Sequence, residues 1–181
     1  MTAVLLALLV GWLFWPEPDE PVMPVEQAQH RIEAELADVA GALHPDLRWT
    51  EPRYGSDADT TGFCGTSGCE KTGRAELAAG QVARVRVSDD RRGETLDRVQ
   101  AVWAGKGYAV TRTWYSLEVK EDRNPRFSLR FSVEQDGCAR FAASQYDVKD
   151  TTGPDGSGGF AQGPKDSAGQ CATVDDPYWS H

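Results

Sequence analysis

The sequence predicts an α+β fold: a two-layer domain with a mostly antiparallel sheet in the order α-β-β-α-β-β-β, both helices on one face, following an N-terminal transmembrane helix. Three observations lead there. Two stretches show apolar residues at helical spacing, and the last third before residue 150 alternates between apolar and polar residues. Strands clustered late and helices interleaved early are the pattern of helices packed on one side of an antiparallel sheet. The chain opens with an uncharged apolar run from Ala3 to Trp15.

That opening run, within residues 1–16, is read as a transmembrane signal anchor. A span ordinarily takes about 17 to 25 residues, so it is short. A cleaved signal peptide needs a basic start and a small-x-small site, and neither is present. A lipoprotein signal needs a cysteine directly after the apolar run, and the first one is Cys64. Trp12 and Trp15 suit the membrane interface, and Pro16 stops the helix. A start site upstream of Met1 would account for both the short span and the missing basic flank. Residues 17–24, rich in proline and acid, read as a stiff linker.

Residues 25–149 read as the folded domain. In the first helix Ile32, Leu36, Val39, Ala40 and Leu43 make one apolar stripe, Glu26 lies in the first turn and His44-Pro45 closes it. Residues 47–52 form a short strand, and residues 53–76 a long Gly-rich loop. Residues 81–88 alternate and are rich in valine, so they form a strand. Asp89 to Arg92 read as the approach to a second helix, whose face is Leu96, Val99, Val102 and Trp103, with Gly105 or Gly107 as its stop. A three-stranded meander follows over residues 108–119, 126–133 and 138–146, with Asp136-Gly137 as a hairpin signal. Residues 150–181 are a Gly-rich tail too polar to order itself, pinned at Cys171.

The net charge of −9 argues against nucleic-acid binding, which needs a dense basic surface. The chemistry turns on four cysteines: Cys64, Cys69, Cys138 and Cys171. Zinc fits poorly, because Cys138 and Cys171 form no knuckle and no histidine lies near any of the four. A redox pair would be C-x-x-C at a strand–helix junction, and a cysteine nucleophile wants a positioned histidine. Structural disulfides remain. Three pairings are possible. Cys64–Cys69 is the economical one, closing a glycine-rich turn, and Cys138–Cys171 would then tie the tail to the last strand at a gain of about 3 to 4 kcal/mol. Disulfides belong in oxidising compartments, so the expected location is the cell membrane, single-pass, with the C-terminal domain outside.

Other motifs fall short. Asp57, Asp59 and Gly62 match the first half of an EF-hand loop, but its twelfth position, which needs glutamate, is Gly68. GTSGC lacks the last glycine of a nucleophile elbow, and GPDGSGGF lacks the Gly-Lys-Ser/Thr of a P-loop. No catalytic constellation, metal set or cofactor motif is readable, so the chain is not expected to be an enzyme. On the polar side of the meander Arg126 and Arg130 share a face, and Arg140 joins them among hydroxyls. That face is a candidate for carboxylate or phosphate recognition, set against the ordinary solvated side of an antiparallel sheet.

The apolar N-terminus, the amphipathic first helix, the stretch DDRRGETLDRVQAVWAGKGYAVT and the late hairpin with a distal cysteine make the layout resemble small actinobacterial membrane-anchored or lipoprotein-like extracytoplasmic proteins of unknown function. The resemblance covers most of residues 25–147. Such proteins usually carry a lipobox cysteine, which this chain lacks. The resemblance implies an envelope location and no assigned functional residue. The expected role is a non-catalytic binding or scaffolding module at the cell envelope, for an envelope protein, a wall polymer or an anionic lipid. The alternative is an envelope hydrolase or transport accessory protein whose site forms only in the fold.

Overall fold

The computed structural model describes residues 22–66, 68–122, 126–151 and 174–181. Helix α1 spans Val25–Ala42 and buries Ala28, Ile32, Leu36 and Val39 along one side, with Glu26 in its first turn. Helix α2 spans Asp89–Gly105 and buries Leu96, Val99 and Trp103; Asp89 and Asp90 lie in its first turn, where the helix dipole favours acids. Six strands follow the same alternation logic: β1 Arg53–Gly65, β2 Gly68–Val82, β3 Val110–Arg112, β4 Ser116–Glu121, β5 Phe127–Val133 and β6 Ala139–Lys149. They form one sheet in the order β1-β2-β6-β5-β4-β3, with every ladder antiparallel. The α+β class and the antiparallel sheet with two helices are therefore as expected.

Both helices lie on the same face. Trp103 of α2 packs on Phe141 with ring centroids 6.0 Å apart, and Arg31 of α1 lies 3.9 Å over the Phe127 ring. Between the layers sit Leu77, Ala79, Leu117, Val119, Phe127, Leu129, Phe131, Phe141 and Ala143, all buried with the helix stripes in one core. Burying a side chain of this size contributes about 1.5–3 kcal/mol.

The order of elements differs from the sequence reading in several places. Residues 53–76 are not a loop: they form most of the β1–β2 hairpin, in which Cys64 stands opposite Cys69 and Arg53 opposite Gly80. Its outer half is exposed, so no buried alternation marks it, and hydrogen bonds between backbones hold it. Residues 108–119 are not one strand. The Thr113 hydroxyl accepts the amide of Ser116 at 3.0 Å and turns the chain between β3 and β4. The strands expected at 47–52 and 81–88 shrink. Trp49 makes a single bridge to Ala83, and the β2–β6 ladder ends at Val82. The strands on either side of α2 in sequence do not pair with each other: β2 lies against β6, and β3 against β4.

The hairpin between β5 and β6 turns at Gly137, with φ of +80°. A Cβ there would lie 2.5 Å from the Val87 carbonyl oxygen, so only glycine fits. Both ends of the described chain are fastened. Met23 bridges Val148 in parallel, its amide donating to the Asp147 carbonyl at 2.8 Å. The C-terminal residues 174–181 return to the domain rather than trailing from it. Val174 bridges Val85, and Trp179 is fully buried, its indole N–H donating to the Pro45 carbonyl at 2.6 Å.

No helix among the described residues is long and apolar enough to cross a membrane. The expected span, residues 1–16, lies outside the described residues, as does most of the linker.

Candidate functional site

Alternation in an antiparallel strand sends one set of side chains to the helices and the other to the opposite side. Here the opposite side has no helix over it among the described residues. Ser128, Arg130 and Ser132 of β5 stand there beside Ser144, Ala142 and Arg140 of β6. Glu118 of β4 faces Arg130 from the other side. Gly80 and Ala78 of β2 extend the surface past β6, and Arg53 and Asp57 of β1 complete it. Small residues hold the middle, and charged residues surround them.

Arg126, Arg130 and Arg140, the residues singled out for anion recognition, are all brought to this face. Each also has a carboxylate within 4 Å. Arg130 is 3.9 Å from Glu118, Arg140 is 3.1 Å from Glu134, and Arg126 is 3.4 Å from Asp147. The face therefore carries both signs of charge.

Asp147 is the feature that sequence reasoning missed. Leu77 pairs with Gln145 and Ala75 with Val148, so Tyr146 and Asp147 together oppose Glu76 in a β-bulge. Plain alternation from Gln145 would aim Asp147 into the core. The bulge, with Asp147 at φ +56°, turns it toward the open face instead. There its carboxylate is 9% exposed, accepting hydrogen bonds from Arg74 at 3.2 Å and Arg126 at 3.4 Å. Arg126 also lies 5.2 Å over the Tyr146 ring. Bulges re-aim side chains at sites of this kind. The signal in the sequence is the break in alternation at Gln145-Tyr146-Asp147-Val148.

Among the described residues, three depressions stand out on this side. One of about 300 Å³ is bounded by Asp57, Asp59, Arg74, Glu76, Arg126 and Asp147. A second, about 230 Å³, lies between Arg53 and Arg140 over Gly80 and Ala142. The largest, about 640 Å³, is walled by Trp114 and Tyr115 of the β3–β4 turn and by Arg130, Glu134, Gln135 and Asp136. In the first depression Asp57 and Glu76 face each other directly across the strands. Asp59 is occupied elsewhere, with Thr72 and its own strand. Among the described residues no group of three or more His, Cys, Asp or Glu is set to hold a metal ion.

The helix side holds the other polar clusters. Glu35, buried, accepts from the Tyr108 hydroxyl at 2.8 Å and pairs with Lys106 at 2.8 Å. Burial and then Glu35 push the Tyr108 hydroxyl up. Burial alone would lower Lys106, but its bonds to Asp38 and Glu35 outweigh it and raise the ammonium. Tyr54 is pushed up to about 12 by burial and by its bond to Glu33. These groups tie α1 to α2 and to the sheet, and none of them lines the three depressions. At the C-terminus the Tyr178 hydroxyl donates to Glu94 at 2.5 Å. That bond, with Arg91 and Arg98 beside it and against the opposing effect of burial, holds the Glu94 carboxyl below its usual range.

Cys64 and Cys69 form a disulfide across the tip of the β1–β2 hairpin. Cys138 is buried and disulfide-bonded, and no cysteine among the described residues is free. Cys171, its expected partner, lies outside the described residues.

No family model matches the chain. No curated protein matches it, and no solved structure does.

Proposed function

We propose that this chain is a binding module of the cell envelope, held at the membrane by its N-terminal apolar segment with the α+β domain outside. It engages a wall polymer, an anionic lipid or an envelope protein through the open face of the sheet. The observation that carries the reading is the contrast of faces. One side of the sheet is sealed by two helices, while the other presents three depressions and exposed arginines. Arg126 and Arg130 are each more than half exposed, and the surface pair of Arg130 with Glu118 adds little stability. The outward orientation is supported by the disulfide at Cys64–Cys69 and the engaged Cys138, because such bonds persist in oxidising compartments.

The test is co-sedimentation of the full chain with anionic vesicles and with isolated wall polymer. Arg126→Ala with Arg130→Ala is expected to weaken one of the two while the domain stays folded, because Arg74 keeps the buried Asp147 carboxylate paired. Unchanged binding to both sinks the assignment to this face. Orientation is checked by thiol alkylation on native membranes with and without prior reduction; labelling only after reduction is the expected result.

A hydrolase remains the second reading, favoured by one observation. The cavity beside Asp147 gathers four carboxylates and two guanidiniums. It predicts that Asp147→Asn abolishes a hydrolytic activity on envelope substrates while the domain stays folded.

A further inference from the structure

Trp114 is unlike the other large apolar residues of the domain. It is 60% exposed, yet it is not on a loose loop. The Thr113 hydroxyl accepts the Tyr115 and Ser116 amides and lies 2.8 Å from the Ser116 hydroxyl, which locks the turn. Tyr115 packs against the indole with centroids 4.9 Å apart. The Arg92 guanidinium lies 5.2 Å over the ring and is itself tied to Asp89 and to the Glu134 carbonyl. An exposed tryptophan held this firmly loses little entropy when something settles on it. Its ring walls the largest of the depressions described above.

The rest of the depression is polar. Arg130, Glu134, Gln135 and Asp136 stand around it, and three of them are already positioned. Arg130 is near Glu118, Glu134 uses Oε1 for Arg140, and Asp136 uses Oδ1 for the Cys138 amide. Both carboxylates border the depression. A flat apolar platform bordered by planar acceptors and donors matches one chemistry better than others. A pyranose ring has a face of C–H bonds, partly positive, which suits the negative face of an indole. Its equatorial hydroxyls point outward, toward side chains such as these. A protein anchor would ask for a drier pocket, and a lipid headgroup for a surplus of positive charge.

We propose that the depression beside Trp114 is a subsite for a pyranose ring of a polysaccharide, with the indole as stacking platform and Arg130, Glu134, Gln135 and Asp136 as hydroxyl partners. This rests on the envelope-module reading and names the ligand class for one part of the open face.

The probes are chitohexaose and cellohexaose, titrated into the full chain in detergent micelles and followed by calorimetry. Saturable binding of at least one is expected. Trp114→Ala should weaken it about tenfold or more, the loss that follows removal of one stacked ring. Trp114→Phe should keep part of it. Because Trp114 is exposed, both variants should melt with the wild type. Absence of binding by the wild-type chain overturns the proposal, and so does a Trp114→Ala variant that binds as well. Capture of a protein in place of either sugar, dependent on Trp114, overturns it too. If both sugars fail while Arg126→Ala with Arg130→Ala still weakens binding to vesicles or wall polymer, the subsite is wrong and the module reading stands. If the sugars bind but the cysteines label without reduction, the outward location is wrong and the subsite stands.

Discussion

Two segments of this chain look alike in sequence, and their described parts are held by opposite means. Residues 53–76 and 150–181 are both rich in glycine and aspartate, and each contains cysteine. The first becomes a long hairpin whose outer half touches no core. Its order comes from the backbone ladder and from Cys64–Cys69 at the tip. The end of the second has almost no ladder: Val174 makes one bridge. It is held by side chains, with Trp179 in the core and Tyr178 between Glu94 and Arg91. Local polarity therefore says little about order when either a partner strand or one large apolar side chain can supply it.

The comparison implies that damage to the two segments should spread differently. The largest effect is expected at Trp179. Trp179→Ala removes a fully buried indole and should cost about 3–5 kcal/mol, visible as a drop in the urea midpoint of the whole domain. Trp179→Phe keeps most of the packing but leaves the Pro45 carbonyl unpaired, for about 1–3 kcal/mol. If Trp179→Ala melts like the wild type, the C-terminal segment is not part of the cooperative unit.

The disulfide should behave in the reverse way. Cys64→Ser with Cys69→Ser removes a constraint from an exposed ribbon. Amide exchange across the hairpin tip should quicken while the global midpoint falls by less than in Trp179→Ala. A global loss as large as that of Trp179→Ala would mean that the hairpin folds with the core. Cys64 and Cys69 thus act as a clamp on a hairpin.

The smallest effect is expected in the pH dependence of the C-terminal anchor. Glu94 has its carboxyl held below the ordinary value of 4.5. A depressed carboxylate contributes stability that is present above its unfolded pKa and is lost as pH falls through the folded one. Melting followed from pH 7 down to pH 3 should show the wild type losing stability in acid more steeply than Glu94→Gln. Parallel curves would remove Glu94 from the anchor's acid response.

Much of the fold was legible because burial leaves a period in the sequence. The stripe of Ile32, Leu36 and Val39, the face of Leu96, Val99 and Trp103, and the alternation of Phe127, Leu129 and Phe131 are all buried as their spacing implied. The β1–β2 hairpin was illegible because the described side chains of its outer half are exposed on both faces, so no buried period marks it. The turn at Thr113 was hidden because threonine and aromatics favour strands, and only the hydroxyl's bonds reveal the corner. On the candidate site, the arginines of the open face followed from alternation. Asp147 did not, because a bulge is a defect in that very period. Trp114 was read as part of a strand rather than as an exposed platform.

By itself the sequence determined the class of fold, the two helix stripes, the last two strands of the meander and the side on which Arg126, Arg130 and Arg140 stand. Those follow from local spacing, which each residue carries with it. Only the tertiary structure decided that β6 would lie between β2 and β5, that Asp147 would turn outward between two arginines, and that a tryptophan in the last three residues would close the core. Each of those depends on contacts between residues far apart in the chain, and no local period records them.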